Sequence, residues 1–105
     1  LAEKLGLEHQ TMFDIVSTAS GQCWSLTSYC PVPGPVPASP ANNGYKPGFS
    51  AVNMLKDLHL SQEAADGFGA STALGKAAMD LYESYVGGEG READFSGIVN
   101  MIRKS

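Results

Sequence analysis

A lysine and an aspartate stand side by side in "MLKDLHLSQEAAD", residues 54–66, a stretch with the apolar spacing of a helix. At about 100° per residue, Lys56 lies between Val52 and Leu60 on one helical face. Its ammonium group either passes these side chains to reach water or projects into a cleft that binds an anionic or hydroxyl-rich ligand. Asp57 is suited to hold a neighbour by hydrogen bonding. Spacing alone leaves both interpretations of Lys56 open and favours the first.

Other residue types that carry chemistry are sparse. Cys23 and Cys30 are the only cysteines, and no His/Cys cluster accompanies them, so we expect reduced structural thiols and no metal site. The glycine patterns "GFGAST" and "GGEGRE" resemble nucleotide loops, but each follows a predicted helix instead of a strand. Both are expected to be turns between helices, and the chain is expected to carry no dinucleotide fold of its own.

Length and charge limit the classes of protein. The 105 residues suffice for one domain with a modest core, so a single compact unit is expected. A formal charge of −4 argues against nucleic acid or an anionic membrane as a partner. No stretch approaches the roughly 18 consecutive apolar residues of a membrane-spanning helix.

The elements that must position Lys56 are helices. "LAEKLG" resembles the last turns of a helix ending at Gly6, so the chain is expected to be a fragment of a longer protein. Apolar spacing predicts one helix from His9 to about Gly21 and, after an irregular loop holding all six prolines at residues 29–48, three more. These three span residues 49–68, 74–86 and 94 onward, the last with Asp94 as N-cap. Nothing alternates with period two, so the fold class is all-α, a helical bundle.

Each predicted helix has an apolar face expected to point inward. The inward residues are Met12, Phe13, Ile15, Val16 and Ala19 in the first; Ala51, Met54, Leu55, Leu58 and Ala65 in the second; Leu74, Ala77, Ala78, Leu81, Tyr82 and Tyr85 in the third; and Phe95, Ile98, Val99 and Ile102 in the fourth. The proline-rich loop is long enough to be a wall or lid of a binding site, or a solvated linker.

Several stretches resemble a known enzyme family. Lys56, Asp57 and Leu58 match the K-D-L signature of the β-hydroxyacid dehydrogenases. "SGQCWS", "YCPVPG", "ANNGY" and "DFSGIV" are similar to its 3-hydroxyisobutyrate dehydrogenase branch, and the similarity spans nearly the whole chain. The resemblance implies a helical C-terminal domain like that of 6-phosphogluconate dehydrogenase, contributing to cofactor binding and to subunit contacts.

The implied reaction is the NAD-dependent oxidation of 3-hydroxyisobutyrate to methylmalonate semialdehyde, a step of valine catabolism. The family's catalytic lysine lies in a motif G-x-x-G-x-G-x-x-x-K-x-x-x-N that is absent here, so the isolated chain is expected to be inactive. A related reductase of tartronate or succinate semialdehyde is the second enzyme interpretation. An independently used helical interaction module is the interpretation outside enzymes.

The resemblance also assigns residues. Lys56 matches the family lysine that reaches toward the cofactor, with Phe49 and Asp57 as further candidates on the cofactor side. Trp24, Ser25 and the loop before Phe49 are expected to border the substrate. The cofactor is NAD, with NADP left open, and the partners are a small 3-hydroxy acid and further copies of the chain. The location implied is the cytoplasm of a bacterium or the mitochondrial matrix of a eukaryote.

Overall fold

The computed structural model describes all residues from 1 to 105 and contains helices but no β-strand. The α-helices are α1 (His9–Val16), α2 (Trp24–Thr27), α3 (Ala51–Phe68), α4 (Ala73–Gly87) and α5 (Ile98–Lys104). Three short 3-10 helices span Glu3–Leu5, Pro40–Asn43 and Phe95–Gly97. The predicted all-α class is therefore confirmed. None of the helices has the length and apolar character needed to cross a membrane.

The chain divides into two compact units, Leu1–Tyr45 and Lys46–Ser105. The division falls at the end of the proline-rich loop. The side chain of Asn42 forms hydrogen bonds with backbone groups of this loop. Its oxygen accepts from the Gly34 N–H, and its amide group donates to the Val36 carbonyl. Because the loop makes these bonds within residues 31–45, it closes the first unit as an ordered structure.

In the first unit, α1 is shorter than its apolar spacing predicts. It ends at Val16, because the Ser17 and Thr18 hydroxyls bond back to the Asp14 carbonyl and compete with helical hydrogen bonding. Ile15 is 58% exposed and Ala19 is also exposed, so neither points inward as expected. Gly6 ends a helical segment, as predicted, in the left-handed conformation at φ 79°, but this segment is a 3-10 turn, and Leu1 and Leu5 are exposed.

The second unit is built on α3 and α4, which pack together across a short turn. Ser50 caps α3 by accepting from the Asn53 N–H, and Gly69, at φ 67°, ends it. Helix α3 thus begins two residues after the predicted start at Phe49. Its inward face is as predicted: Ala51 and Ala65 are buried, and three further side chains are half-buried. Those three are Met54, Leu55 and Leu58.

Both glycine-rich stretches are turns at helix ends, as predicted, since Gly69 follows α3 and Gly88 follows α4. Some inward assignments fail in α4 and α5. Leu74, in the first turn of α4, is 88% exposed, and Ala77 and Leu81 are exposed as well. Ile102 is 51% exposed, because the residues after Asp94 first form a 3-10 helix. Each residue of a 3-10 helix turns the chain by about 120° around the axis, against about 100° in an α-helix. Three such residues therefore rotate the later side chains by about 60° from their predicted directions.

Candidate cofactor-facing surface

Lys56 lies on the outer face of α3. Its side chain is 62% exposed, and Val52 and Leu60, one turn before and one turn after it, are 42% and 56% exposed. The helical face on which Lys56 lies between Val52 and Leu60 is therefore open to its surroundings. It presents one cation between two aliphatic side chains, a combination that suits a ligand with both anionic and apolar parts.

The partner of Lys56 within the chain is Asp57. The Lys56 Nζ lies 2.9 Å from Asp57 Oδ1, and the aspartate side chain is 51% exposed. Successive residues on a helix do not face each other, so both side chains bend along the surface to meet. Exposed pairs of this kind contribute about 0.2–1 kcal/mol, because water competes for both charges. The Lys56 ammonium can therefore exchange Asp57 for an incoming anion at little cost.

Phe49 precedes the cap of α3 and is held from three directions. Its N–H donates to Asp94 Oδ2 over 3.0 Å, its carbonyl accepts from the Phe95 N–H over 2.9 Å, and its ring meets the Phe95 ring edge-on at 5.9 Å. The two backbone segments form an isolated antiparallel bridge between Ser50 and Asp94. The half-buried Phe49 side chain is thus fixed close to the start of the helix that carries Lys56.

Asp94 is the centre of this arrangement and is 0% exposed. Its Oδ2 accepts from the Gly48 and Phe49 N–H groups, while its Oδ1 accepts from the N–H and the hydroxyl of Ser96. The sequence predicted that Asp94 caps the helical turn that follows it, and the bond from the Ser96 N–H confirms this cap. The bonds to Gly48 and Phe49, more than forty residues away, were missed, because no local pattern in the sequence indicates them.

Two tyrosines of α4 support the same turn. The Tyr82 hydroxyl donates to the Phe95 carbonyl over 3.0 Å, and the buried Tyr85 hydroxyl lies 3.5 Å from the Asp94 carbonyl. Burial, followed by the neighbouring Tyr85 and the Asp94 charge, raises the pKa of Tyr82 to about 12. The Tyr82 phenol therefore remains a hydrogen-bond donor at neutral pH.

The predicted substrate-side residues lie in the other unit, at α2. Trp24 is 62% exposed, and its ring stacks on Tyr29 with centroids 5.2 Å apart, so one aromatic face is occupied inside the unit. Ser25 borders an open groove of about 280 Å³ whose walls include the apolar side chains of Met12 and Leu26. The sequence predicted neither the short helix nor the stack.

The cysteines and histidines play other parts. Both cysteines are free. Cys30 is buried, as expected of a structural thiol, whereas Cys23 is exposed and borders the same groove as Ser25. His59 contacts Glu83 of α4, with 3.3 Å between Nε2 and Oε1. No group of three His, Cys, Asp or Glu side chains in the chain could hold a metal ion.

The structure thus places Lys56 and Asp57 in contact in the second turn of α3, and Phe49 in the loop before that helix. Trp24 and Ser25 belong to the first unit. The roles given to all five residues remain predictions. What the arrangement offers chemically is charge recognition by an exposed lysine in the second turn of a helix whose start is rigidly held.

Residues 1–102 match the protein family described as the NAD-binding domain of NADP-dependent 3-hydroxyisobutyrate dehydrogenase. A probable 3-hydroxyisobutyrate dehydrogenase of Mycobacterium tuberculosis is 48% identical over 103 residues, which cover 98% of this chain and 35% of that protein. The human mitochondrial 3-hydroxyisobutyrate dehydrogenase is 34% identical over 104 residues, covering 99% of this chain and 31% of the relative.

A solved structure shows the same likeness in three dimensions. The M. tuberculosis 3-hydroxyisobutyrate dehydrogenase with L-serine superimposes with a TM-score of 0.93 at 47% identity, over 97% of this chain and 35% of that one. The chain therefore spans about a third of the length of the relatives that it matches. Since the family match covers nearly every residue, the chain belongs to the 3-hydroxyisobutyrate dehydrogenase family, in the part of those proteins described as NAD-binding.

Proposed function

We propose that this chain serves as the C-terminal helical domain of an NAD-dependent 3-hydroxyisobutyrate dehydrogenase, with the fold seen in the C-terminal domain of 6-phosphogluconate dehydrogenase. The observation that carries the proposal is the family match along residues 1–102, together with the helical arrangement shared at a TM-score of 0.93. In this role the chain supplies one wall of the cleft that holds cofactor and substrate.

The residues of α3 suit a dinucleotide. A dinucleotide combines anionic phosphates and ribose hydroxyls with flat aromatic rings. The outer face of α3 offers an exposed ammonium between two aliphatic side chains, and the segment that leads into α3 holds the ring of Phe49 in place. When bound, NAD supplies the acceptor for the hydride that leaves the hydroxyl-bearing carbon. NADP would meet the same groups, so this surface fits either cofactor.

The chain's own residues bind and orient in this proposal. Lys56 donates a charge-assisted hydrogen bond to a cofactor oxygen and releases Asp57 as it does so. Asp57 then remains close enough to keep the lysine in place. Phe49 limits the space beside the cofactor and excludes water from it. Proton transfer from the substrate hydroxyl is left to a lysine outside these 105 residues.

The substrate is proposed to be a small 3-hydroxy acid bordered by Trp24 and Ser25. The exposed face of the Trp24 ring offers an apolar surface for a branched carbon chain, and the Ser25 hydroxyl offers a hydrogen bond. The mycobacterial relative was solved with L-serine, which is itself a 3-hydroxy acid. 3-Hydroxyisobutyrate differs from serine by a methyl group in place of the ammonium, and an apolar border favours the methyl group.

A substrate panel on the full-length enzyme tests this function. We expect the highest kcat/KM for oxidation with 3-hydroxyisobutyrate and a lower value with L-serine, each measured with NAD and with NADP. Reduction of tartronate or succinate semialdehyde, measured with NADH and with NADPH, should be weak. The 105-residue chain alone should give no substrate-dependent NADH, because it lacks the family's catalytic lysine motif. Preferred reduction of a semialdehyde would move the protein to the sister branch, and no turnover with any member would refute the proposal.

Assembly and location complete the proposal. Exposed apolar side chains, among them Ile15, Phe68 and Leu74, favour association with further copies of the protein. Sedimentation of the full-length enzyme should show a dimer or a larger species, and a monomer at every concentration would contradict this part. The human relative is mitochondrial by name, which supports the matrix for a eukaryotic source and the cytoplasm for a bacterial one.

A further inference from the structure

We propose that Asp94 is a positioning residue for cofactor binding, which it serves by fixing Phe49 and the start of α3. The inference rests on the proposed function, because it takes Phe49 and Lys56 to face the cofactor. Asp94 itself is fully buried and is far too enclosed to touch a ligand. Its effect must pass through the backbone that it holds.

The geometry of the Asp94 carboxylate separates two tasks. Oδ2 holds the loop before α3 through two N–H groups, Gly48 and Phe49, each at 3.0 Å. Oδ1 caps the local 3-10 turn through the Ser96 N–H at 2.9 Å and the Ser96 hydroxyl at 2.6 Å. A turn cap needs only the second task, and a serine or threonine performs it as well as an aspartate. Holding the loop before α3 requires a second side-chain oxygen that reaches the N–H groups of Gly48 and Phe49.

The held segment leads directly into the cofactor-facing residues. Phe49 is fixed at its N–H by Asp94, at its carbonyl by the Phe95 N–H and at its ring by the Phe95 ring. Ser50 then caps α3, whose second turn carries Lys56. Such rigid support matters for a binding group, since displacement by about 1 Å can cost about a hundredfold in rate.

Two variants separate positioning from stability. Asp94→Ser keeps one oxygen to cap Ser96 but cannot also reach Gly48 and Phe49. Ser96→Ala is the matched control, because it removes the 2.6 Å bond to Oδ1 and leaves the Oδ2 bonds in place. Both variants should lower the melting temperature of the full-length enzyme. Asp94→Glu, which retains the charge but adds a methylene, serves as the second variant if Asp94→Ser does not fold.

The measurement is the Kd of NADH by fluorescence titration of the full-length enzyme, with the KM for NAD measured beside it. Asp94→Ser should raise both by about tenfold and lower kcat less, while Ser96→Ala should leave both within about twofold. Equal effects of the two variants, in proportion to their loss of stability, would overturn the inference alone. So would failure of both Asp94 variants to fold, since Asp94 would then be required for the fold itself. If the parent enzyme does not bind NADH, the proposed function fails first and the inference fails with it.

Discussion

Replacing Lys56 with methionine removes the charge of the proposed cofactor contact and keeps the length and apolar character of the side chain. Because the Lys56 side chain is 62% exposed and its pair with Asp57 is a surface pair, the free energy of unfolding should change by less than about 1 kcal/mol. The change therefore tests binding and leaves the fold intact.

The expected loss of function follows from the bond that is proposed between Lys56 and the cofactor. A hydrogen bond to a charged group contributes about 1.5–3 kcal/mol, which corresponds to about a 10- to 150-fold fall in kcat/KM. The bond to Asp57 subtracts little from this value, since exchanging it costs at most about 1 kcal/mol. Most of the fall should appear in the KM for the cofactor if Lys56 contributes equally before and during the reaction.

Steady-state kinetics of the full-length enzyme, with NADH absorbance as the signal, measure the effect. Lys76→Met on α4 is the matched control: Lys76 is 64% exposed and pairs with Asp80 at 3.0 Å, so it resembles Lys56 in both respects. This variant should keep kcat/KM within about twofold.

Two results would refute the reasoning about Lys56. If Lys56→Met stays within about twofold of the parent, Lys56 is a surface lysine that extends to water, as its spacing alone favoured. If Lys76→Met loses as much as Lys56→Met, the loss reflects overall charge and not a contact on the outer face of α3.

Two further predictions concern the support beneath this face. Gly90→Ala would place a methyl group 2.5 Å from the buried Tyr85 ring and should cost about 1–3 kcal/mol in denaturant unfolding. Gly67→Ala, in open space within α3, should instead stabilise by about 0.5–1 kcal/mol, and equal effects would contradict the packing described. Because folding raises the pKa of Tyr82 to about 12, its contribution to stability is fully present below about pH 10 and is lost as the pH rises toward 12. The melting temperature of the parent should therefore fall more steeply over that range than that of Tyr82→Phe, and parallel curves would count against the burial of the Tyr82 phenol.

The helices and their inward faces could be predicted from the sequence where many residues repeat one pattern. The 18 residues of α3 carry enough apolar positions to fix both its C-terminal end and its buried face, including Ala51 and Ala65. Short helices contain too few apolar positions to show such a repeated pattern. Helix α2 has only four residues. The early end of α1 depends on the bonds from the Ser17 and Thr18 hydroxyls to the backbone, which compete with helical hydrogen bonding within one turn.

The sequence motif of the candidate site could be predicted, but the hydrogen bonds that hold the neighbouring backbone in place could not. Lys56 and Asp57 were found from a signature of adjacent residues, and Asp94 was found as a cap. The connection from Asp94 to Phe49 joins positions 45 residues apart through backbone N–H groups, which every residue except proline carries. No side-chain pattern can therefore reveal it. The division at Tyr45 was likewise hidden, since it depends on which bonds the proline-rich loop makes within itself.

The central claim, that the Lys56 face of α3 lies against the cofactor, can be tested by lysine acetylation of the full-length enzyme with and without saturating NADH. Peptide mass spectrometry would compare Lys56 with Lys76, whose exposure is nearly the same in the free chain. We expect NADH to slow acetylation of Lys56 by at least about fivefold, because a charge-assisted bond of about 1.5–3 kcal/mol occupies its ammonium, and to leave Lys76 unchanged. Equal acetylation of Lys56 in the free and the NADH-bound enzyme would contradict the account.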